Sequence, residues 1–160
     1  MKKTSVLYLK HGKLKFSSGH FTIFSETSRE PLHGHNYSLE VRLVAHLSAP
    51  GIVKDYRLIE ETIIDLCKQL NWRCLIPAHS PYLSIKVDEP HYQITFNHQS
   101  MWLLQSDVVL LPLENITLET LSQWFTDQLS RNPVFMAENQ IESLSVTVFN
   151  GPYHAAETLL

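Results

Sequence analysis

The chain has only two cysteines in 160 residues, Cys67 and Cys74. They stand seven positions apart in apolar surroundings, with no C-x-x-C pair and no regular disulfide framework. A disulfide scaffold is therefore excluded as the organising device, and a reducing cytoplasm is the compartment that fits. Long hydrophobic runs are missing as well. The N-terminal stretch MKKTSVLYLK offers two lysines and only a four-residue apolar run before Lys10, too short for a signal-peptide core, and no later run approaches transmembrane length. The expectation is a soluble, cytoplasmic protein without a membrane partner. Basic surplus is absent too: 13 Lys and Arg against 16 Asp and Glu leave a net charge of −3. Scattered cations of this kind make no patch that would neutralise a nucleic-acid backbone, so no nucleic-acid partner is expected. Repeats, low-complexity segments and the H-E-x-x-H zinc-hydrolase motif are not found.

What the chain does carry is histidine, nine in all, the side chain that both ligates metals and titrates near neutrality. With 44% hydrophobic residues, the length suits one sizeable core, and a single domain over residues 1–160 is expected. From Tyr37 onward Tyr37, Leu39, Val41 and Leu43 alternate with Ser38, Glu40 and Arg42, the period-two pattern of a half-buried strand that starts near His33. The earlier run from Ser5 to Phe24 is strand-like, with Gly12 either closing a hairpin or marking a bend. Between Asp55 and Asn71, Leu58, Ile59, Ile63, Leu66, Cys67 and Leu70 recur at helical steps. A second helix is predicted from Thr117 to Arg131, with Leu118, Leu121, Trp124, Phe125 and Leu129 inward and Pro133 just beyond its end. The intervening segment reads as an extended hairpin insertion at about 84–111 that turns at His98-Gln99-Ser100. A last strand alternates through Leu144, Val146 and Val148 toward Asn150. Strands, helix, hairpin, helix, strand in that order predict an α+β fold, an antiparallel sheet with two helices on one face.

The stretch FSETSREPLHGHNY places His33 and His35 around Gly34. On a strand, residues two apart leave the same face with Cα atoms roughly 6.5–7 Å apart. Both rings can then reach one ion at about 2.0–2.1 Å. They point toward the core side with Tyr37, Leu39 and Val41, where an imidazole must be ligated or hydrogen-bonded. His20, in FSSGHFTIF, becomes the third ligand if its strand lies alongside. Three neutral imidazoles with a fourth position open is a catalytic zinc pattern. Spacing alone also allows a pair of hydrogen-bonded histidines. His11, His46, His79, His91, His98 and His154 lack ligand spacing and are read as surface or hydrogen-bonded residues.

FSSGHFTIF followed by LHGHNY resembles the 6-pyruvoyl-tetrahydropterin synthase and 6-carboxytetrahydropterin synthase family. GIVKDYRLIEE is similar to that family's entry into its first helix, and NITLETLSQWF to its second helix. The resemblance implies Zn2+ on His20, His33 and His35, and a dihydropterin substrate such as 7,8-dihydroneopterin triphosphate. It also implies a tunnelling fold (T-fold) in which subunits close a barrel, as a homohexamer of two trimers with sites between subunits. The usual catalytic Cys before H-G-H has no counterpart here. In its place stands Glu30, three positions before His33, an arrangement that resembles a branch associated with formation of 6-hydroxymethyl-7,8-dihydropterin, and Glu30 is the catalytic base this resemblance implies.

Two further departures bear on function. Where the family has Leu-Asp-His after its first helix the chain reads Leu70-Asn71-Trp72, and the pterin-anchoring Glu of the last strand is replaced by Asn150. Thr117 and Glu119 of the second-helix motif persist. Thr117, Glu119 and Asn150 are the substrate-binding residues implied, although Thr117 is also a good helix N-cap and Glu119 a favourable first-turn acid. A zinc-dependent pterin lyase is the leading expectation. A non-catalytic zinc-containing pterin-binding protein that has lost the proton relay is the alternative.

Overall fold

The computed structural model describes residues 3–10 and 12–159; His11 lies outside the described residues. Fourteen residues of alternating pattern make the long central strand β3 (His33–His46), whose buried positions Tyr37, Leu39, Val41, Leu43 and Ala45 face one side. Strands β1 (Thr4–Leu9) and β2 (Lys15–His20) do not pair with each other. Both run antiparallel along the same edge of β3, β1 against Val41–His46 and β2 against His33–Ser38. Gly12 thus belongs to a bend rather than a hairpin. Buried Leu14 secures that bend, its carbonyl accepting the Leu39 N–H at 2.8 Å.

Helix α1 (Tyr56–Leu70) begins where the Asp55 carboxylate accepts the Arg57 N–H, and buries Ile59, Ile63, Cys67 and Leu70, while Leu58 is left exposed. It leads into β4 (Arg73–Pro77). Three short strands follow: β5 (Leu83–Asp88), β6 (His91–Phe96) and β7 (Gln99–Leu104). They form their own antiparallel sheet, so the predicted two-stranded excursion has three strands. The β6–β7 connection is a two-residue turn at Asn97 and His98, both with positive φ, as a hairpin matched to strand twist requires. The chain then returns to the main sheet as β8 (Val108–Leu111), running parallel to β4, which is parallel to β2. Helix α2 (Leu118–Ser130) is capped by Thr117, and α3 (Pro133–Glu138) starts at Pro133, the residue expected to end the preceding helix. Proline is well tolerated in a first helical turn, so Pro133 opens α3 instead of merely closing α2. Strand β9 (Ile141–Asn150) pairs with β3, and β10 (His154–Leu159) doubles back on β9.

The main sheet runs β10-β9-β3-β2-β4-β8, with β1 beside β3. The α+β expectation holds. The sheet is antiparallel from β10 to β2 and becomes mixed where β4 and β8 join in parallel, because the chain reaches each of them by a long crossover and not by a tight turn. Phe16, Tyr37 and Phe125 tie the sheet to α2, with ring centroids 4.9 Å apart for Phe16–Tyr37 and 5.7 Å for Phe16–Phe125. Phe125 is fully buried. Phe125→Ala is expected to lower unfolding free energy by about 3–5 kcal/mol, read from urea denaturation. Among the described residues no helix is long and apolar enough to cross a membrane.

Candidate active site

The end of β2 and the start of β3 lie side by side, so that His20 stands opposite His33 and Ser18 opposite His35. The two strands press close at Gly34, where an added Cβ would come within 3.3 Å of the Ser18 carbonyl oxygen, which explains the glycine between the histidines. One ring nitrogen from each of His20, His33 and His35 falls within 4.8 Å of the others. Ring centroids are 4.7 Å apart for His20–His33, 5.1 Å for His20–His35 and 4.7 Å for His33–His35. The predicted triad is thus assembled by the fold.

Two backbone carbonyls aim the rings. His20 Nδ1–H donates to the Ile116 carbonyl at 2.9 Å, and His33 Nδ1–H to the Pro31 carbonyl at 2.7 Å. With Nδ1 engaged, each Nε2 turns toward the centre, the arrangement in which metal-ligating imidazoles are held. His33 Nε2 and His35 Nε2 are 2.9 Å apart. His20 is 5% exposed, and its Nε2 is buried with no hydrogen-bond partner among the described residues. An orphaned buried acceptor carries an unpaid desolvation penalty that a cation would remove, so the donor set fits a zinc ion.

Burial pushes the His20 imidazole below its ordinary 6.5, with the Ile116 hydrogen bond opposing and the neighbouring His33 and His35 reinforcing the shift. His35 is lowered by burial and then by His33. Both rings therefore stay in the neutral form that ligates metal. Below 6.5 the unfolded chain takes up protons that folded His20 and His35 refuse, so metal-free stability is complete above that pH and is lost progressively as pH falls from it toward the lowered folded values. The thermal midpoint of zinc-stripped protein is expected to drop across that window, and a flat profile would contradict the burial of these rings.

Glu30 sits at the lip of the triad, its Oε2 3.8 Å from His33 Nε2. Two hydrogen bonds with Thr22 hold it: Thr22 N–H donates to Oε2 at 2.9 Å, and Glu30 N–H to the Thr22 carbonyl at 2.9 Å. Partial burial raises the Glu30 carboxyl, but the Thr22 hydrogen bonds with His33 and His20 outweigh it and leave the group below the usual carboxylate range. It is ionised at neutral pH and able to accept a proton.

The other expected positions are distributed around this centre. Thr117 spends its hydroxyl on the capping box of α2, accepting from Thr120 N–H at 3.2 Å. Its neighbour Ile116 is the His20 acceptor, which brings the α2 N-terminus against the triad. Glu119 is exposed on the first turn of α2. Asn150 closes β9 opposite Tyr37, whose ring lies 5.7 Å from His35. Asn71 has a structural duty, its Oδ1 accepting Ser17 N–H at 2.8 Å, while Trp72 is 81% exposed. His79 is exposed and bonds through its backbone to Leu113. Asn115, first residue of the NIT that opens the second-helix motif, has a role that no periodicity or spacing in the sequence marks. It donates to the Ile23 carbonyl at 2.8 Å and accepts the Ile23 N–H at 3.0 Å, clamping the segment after His20 to the entry of α2.

Residues 11–159 match the model of the 6-pyruvoyl tetrahydropterin synthase family. The chain belongs to that family. It is similar to a Methanocaldococcus jannaschii protein provisionally named 6-carboxy-5,6,7,8-tetrahydropterin synthase, at 22% identity over 142 residues, which covers 88% of this chain and 86% of the relative. The solved structure of 6-pyruvoyl tetrahydropterin synthase from Plasmodium vivax superposes with a TM-score of 0.90 at 26% identity, covering 98% of this chain and 97% of that one. A second structure of the Plasmodium vivax enzyme, in which a glutamate described as a catalytic residue is replaced by alanine, matches with the same TM-score at 25% identity and the same coverage. The family's T-fold is therefore the fold of this chain.

Proposed function

We propose that this family member is a zinc-dependent pterin-processing lyase acting on 7,8-dihydroneopterin triphosphate or a related dihydropterin, with Glu30 as its base. The observation that supports this most directly is the convergence of three imidazoles on one point, with the buried Nε2 of His20 unpartnered and an ionised carboxylate at the lip. Zinc held by His20, His33 and His35 would supply Lewis acidity toward the side-chain hydroxyls of the substrate. Glu30 Oε2 takes the proton of the hydroxyl on the second side-chain carbon, the bond between the first and second side-chain carbons breaks in a retro-aldol sense, and the outer two carbons leave as glycolaldehyde, with the triphosphate still attached where the substrate carries one. The proton then returns to the carbon left on the ring, yielding a 6-hydroxymethyl-7,8-dihydropterin. Thr22 keeps the carboxylate from turning away. The catalytic glutamate of the Plasmodium vivax enzyme gives this role a chemical precedent in the family.

On this reading Thr117, Glu119 and Asn150 would bind the substrate, Asn150 through a hydrogen bond from its amide to the pterin edge. Assembly into a cytoplasmic homohexamer of two trimers, with sites between subunits, completes the reading; β8 and β10 are open edges of the sheet, and open edges favour pairing between chains. The test is to incubate zinc-loaded protein with 7,8-dihydroneopterin and with its triphosphate and to identify new pterins by mass. A product is expected. The use of Asn71 to hold Ser17 and the exposure of Trp72 favour a second reading, a zinc-containing pterin binder, and tight binding with no product at any pH would decide for it.

A further inference from the structure

The loop that carries Glu30 turns on itself, Phe24 N–H and Ser25 N–H both donating to the Ser28 carbonyl at 2.9 and 3.1 Å, and it leaves Phe24 exposed. Besides the Thr22–Glu30 hydrogen bonds at its base, the loop meets the apolar interior through the Arg29 side chain. The guanidinium lies 4.7 Å from the centroid of the Phe21 ring and 5.7 Å from that of Phe96. Arg29 Nη1–H donates to the Glu30 carbonyl at 2.7 Å. Phe21 is fully buried and Phe96, the last residue of β6, is 5% exposed, both in the apolar cluster that also holds Ile76, Ile94 and Val108. A cleft of about 420 Å³ between the loop and the β6–β7 turn is lined by Arg29, Glu30, Pro31, Phe96, Asn97 and Gln99.

We propose that Arg29, held between Phe21 and Phe96, is a positioning residue for Glu30, so that the small β5–β6–β7 sheet sets where the carboxylate stands beside the histidines. The inference rests on the reading of Glu30 as base. Thr22 fixes the carboxylate and amide of Glu30, and Arg29 fixes its carbonyl, so the residue is anchored on both sides of its Cα. Arginine suits this place because one planar group can lie over aromatic faces and donate in its own plane, which a lysine ammonium cannot do. A loop with few packed side chains depends on such a clamp for local order.

The test compares Phe96→Leu and Phe96→Tyr in the zinc-loaded full chain, since leucine keeps apolar bulk without the ring face and tyrosine keeps the ring. Phe96→Leu is expected to speed amide exchange at Thr22 and Glu30 about two- to fivefold. It should lower kcat about tenfold with KM little changed, as misplacement of a reacting group does. Zinc affinity should stay as in the parent, and Phe96→Tyr should restore exchange and kcat. Unaltered exchange at Thr22 and Glu30, or an equal rise across β3 and β9, overturns the clamp. Full turnover by Glu30→Gln would instead overturn the assignment of the base, and is told apart because exchange is read without turnover.

Discussion

His20→Ala is expected to remove zinc and turnover together while leaving the fold in place. His20 is the most buried of the three imidazoles, its ring fixed by the Ile116 carbonyl and its Nε2 without another partner. His33 and His35 lie on a half-exposed strand start and would be left as a two-ligand site. Loss of an orienting group alone typically costs a metal site about 10–100-fold in affinity, and loss of a ligand should cost more than that. Metal content per chain after gel filtration, with far-ultraviolet circular dichroism as the check on folding, measures the result. Full zinc occupancy in a folded His20→Ala protein would sink the three-histidine centre.

Glu30→Gln is the second large effect. The amide is nearly isosteric and its oxygen can still accept the Thr22 N–H, so the loop should keep its shape. What disappears is the charge and the capacity to take a proton beside His33. A positioned general base contributes roughly 10²–10⁴-fold, and turnover should fall by that factor with zinc retained. Product formation from 7,8-dihydroneopterin, followed by mass at fixed metal content, is the measurement. Parent-like turnover in Glu30→Gln would remove Glu30 from the chemistry; absence of turnover in the parent as well would favour the binding-protein reading.

Much of the site was readable in the sequence because it sits on regular local patterns. The i, i+2 spacing of His33 and His35 on an alternating strand puts both rings on one face by backbone geometry alone, and the apolar steps of α1 and α2 carry a period that needs no partner to be seen. Thr117 announced the start of α2 by its side-chain chemistry. The short strands β4, β8 and β10 were not readable in this way. β4 and β8 are held by pairing with residues far along the chain, and their apolar runs do not differ from those of loops or buried helix ends, while β10 is a short return on β9 with no apolar alternation of its own.

The sequence by itself determined that His33 and His35 share a face, the two long helices, the central strand and the resemblance that FSSGHFTIF and LHGHNY carry, since each depends on residues near one another in the chain; the pairing of β2 with β3 then set His20 beside them. The tertiary structure alone decided that β1 and β2 share one edge of β3, that the Ile116 and Pro31 carbonyls aim the rings, that Asn71 is spent on Ser17, and that Arg29 meets Phe96. Side-chain pattern records which face a residue takes. Which distant backbone group or ring it meets there is settled by packing, and packing leaves no period in the sequence.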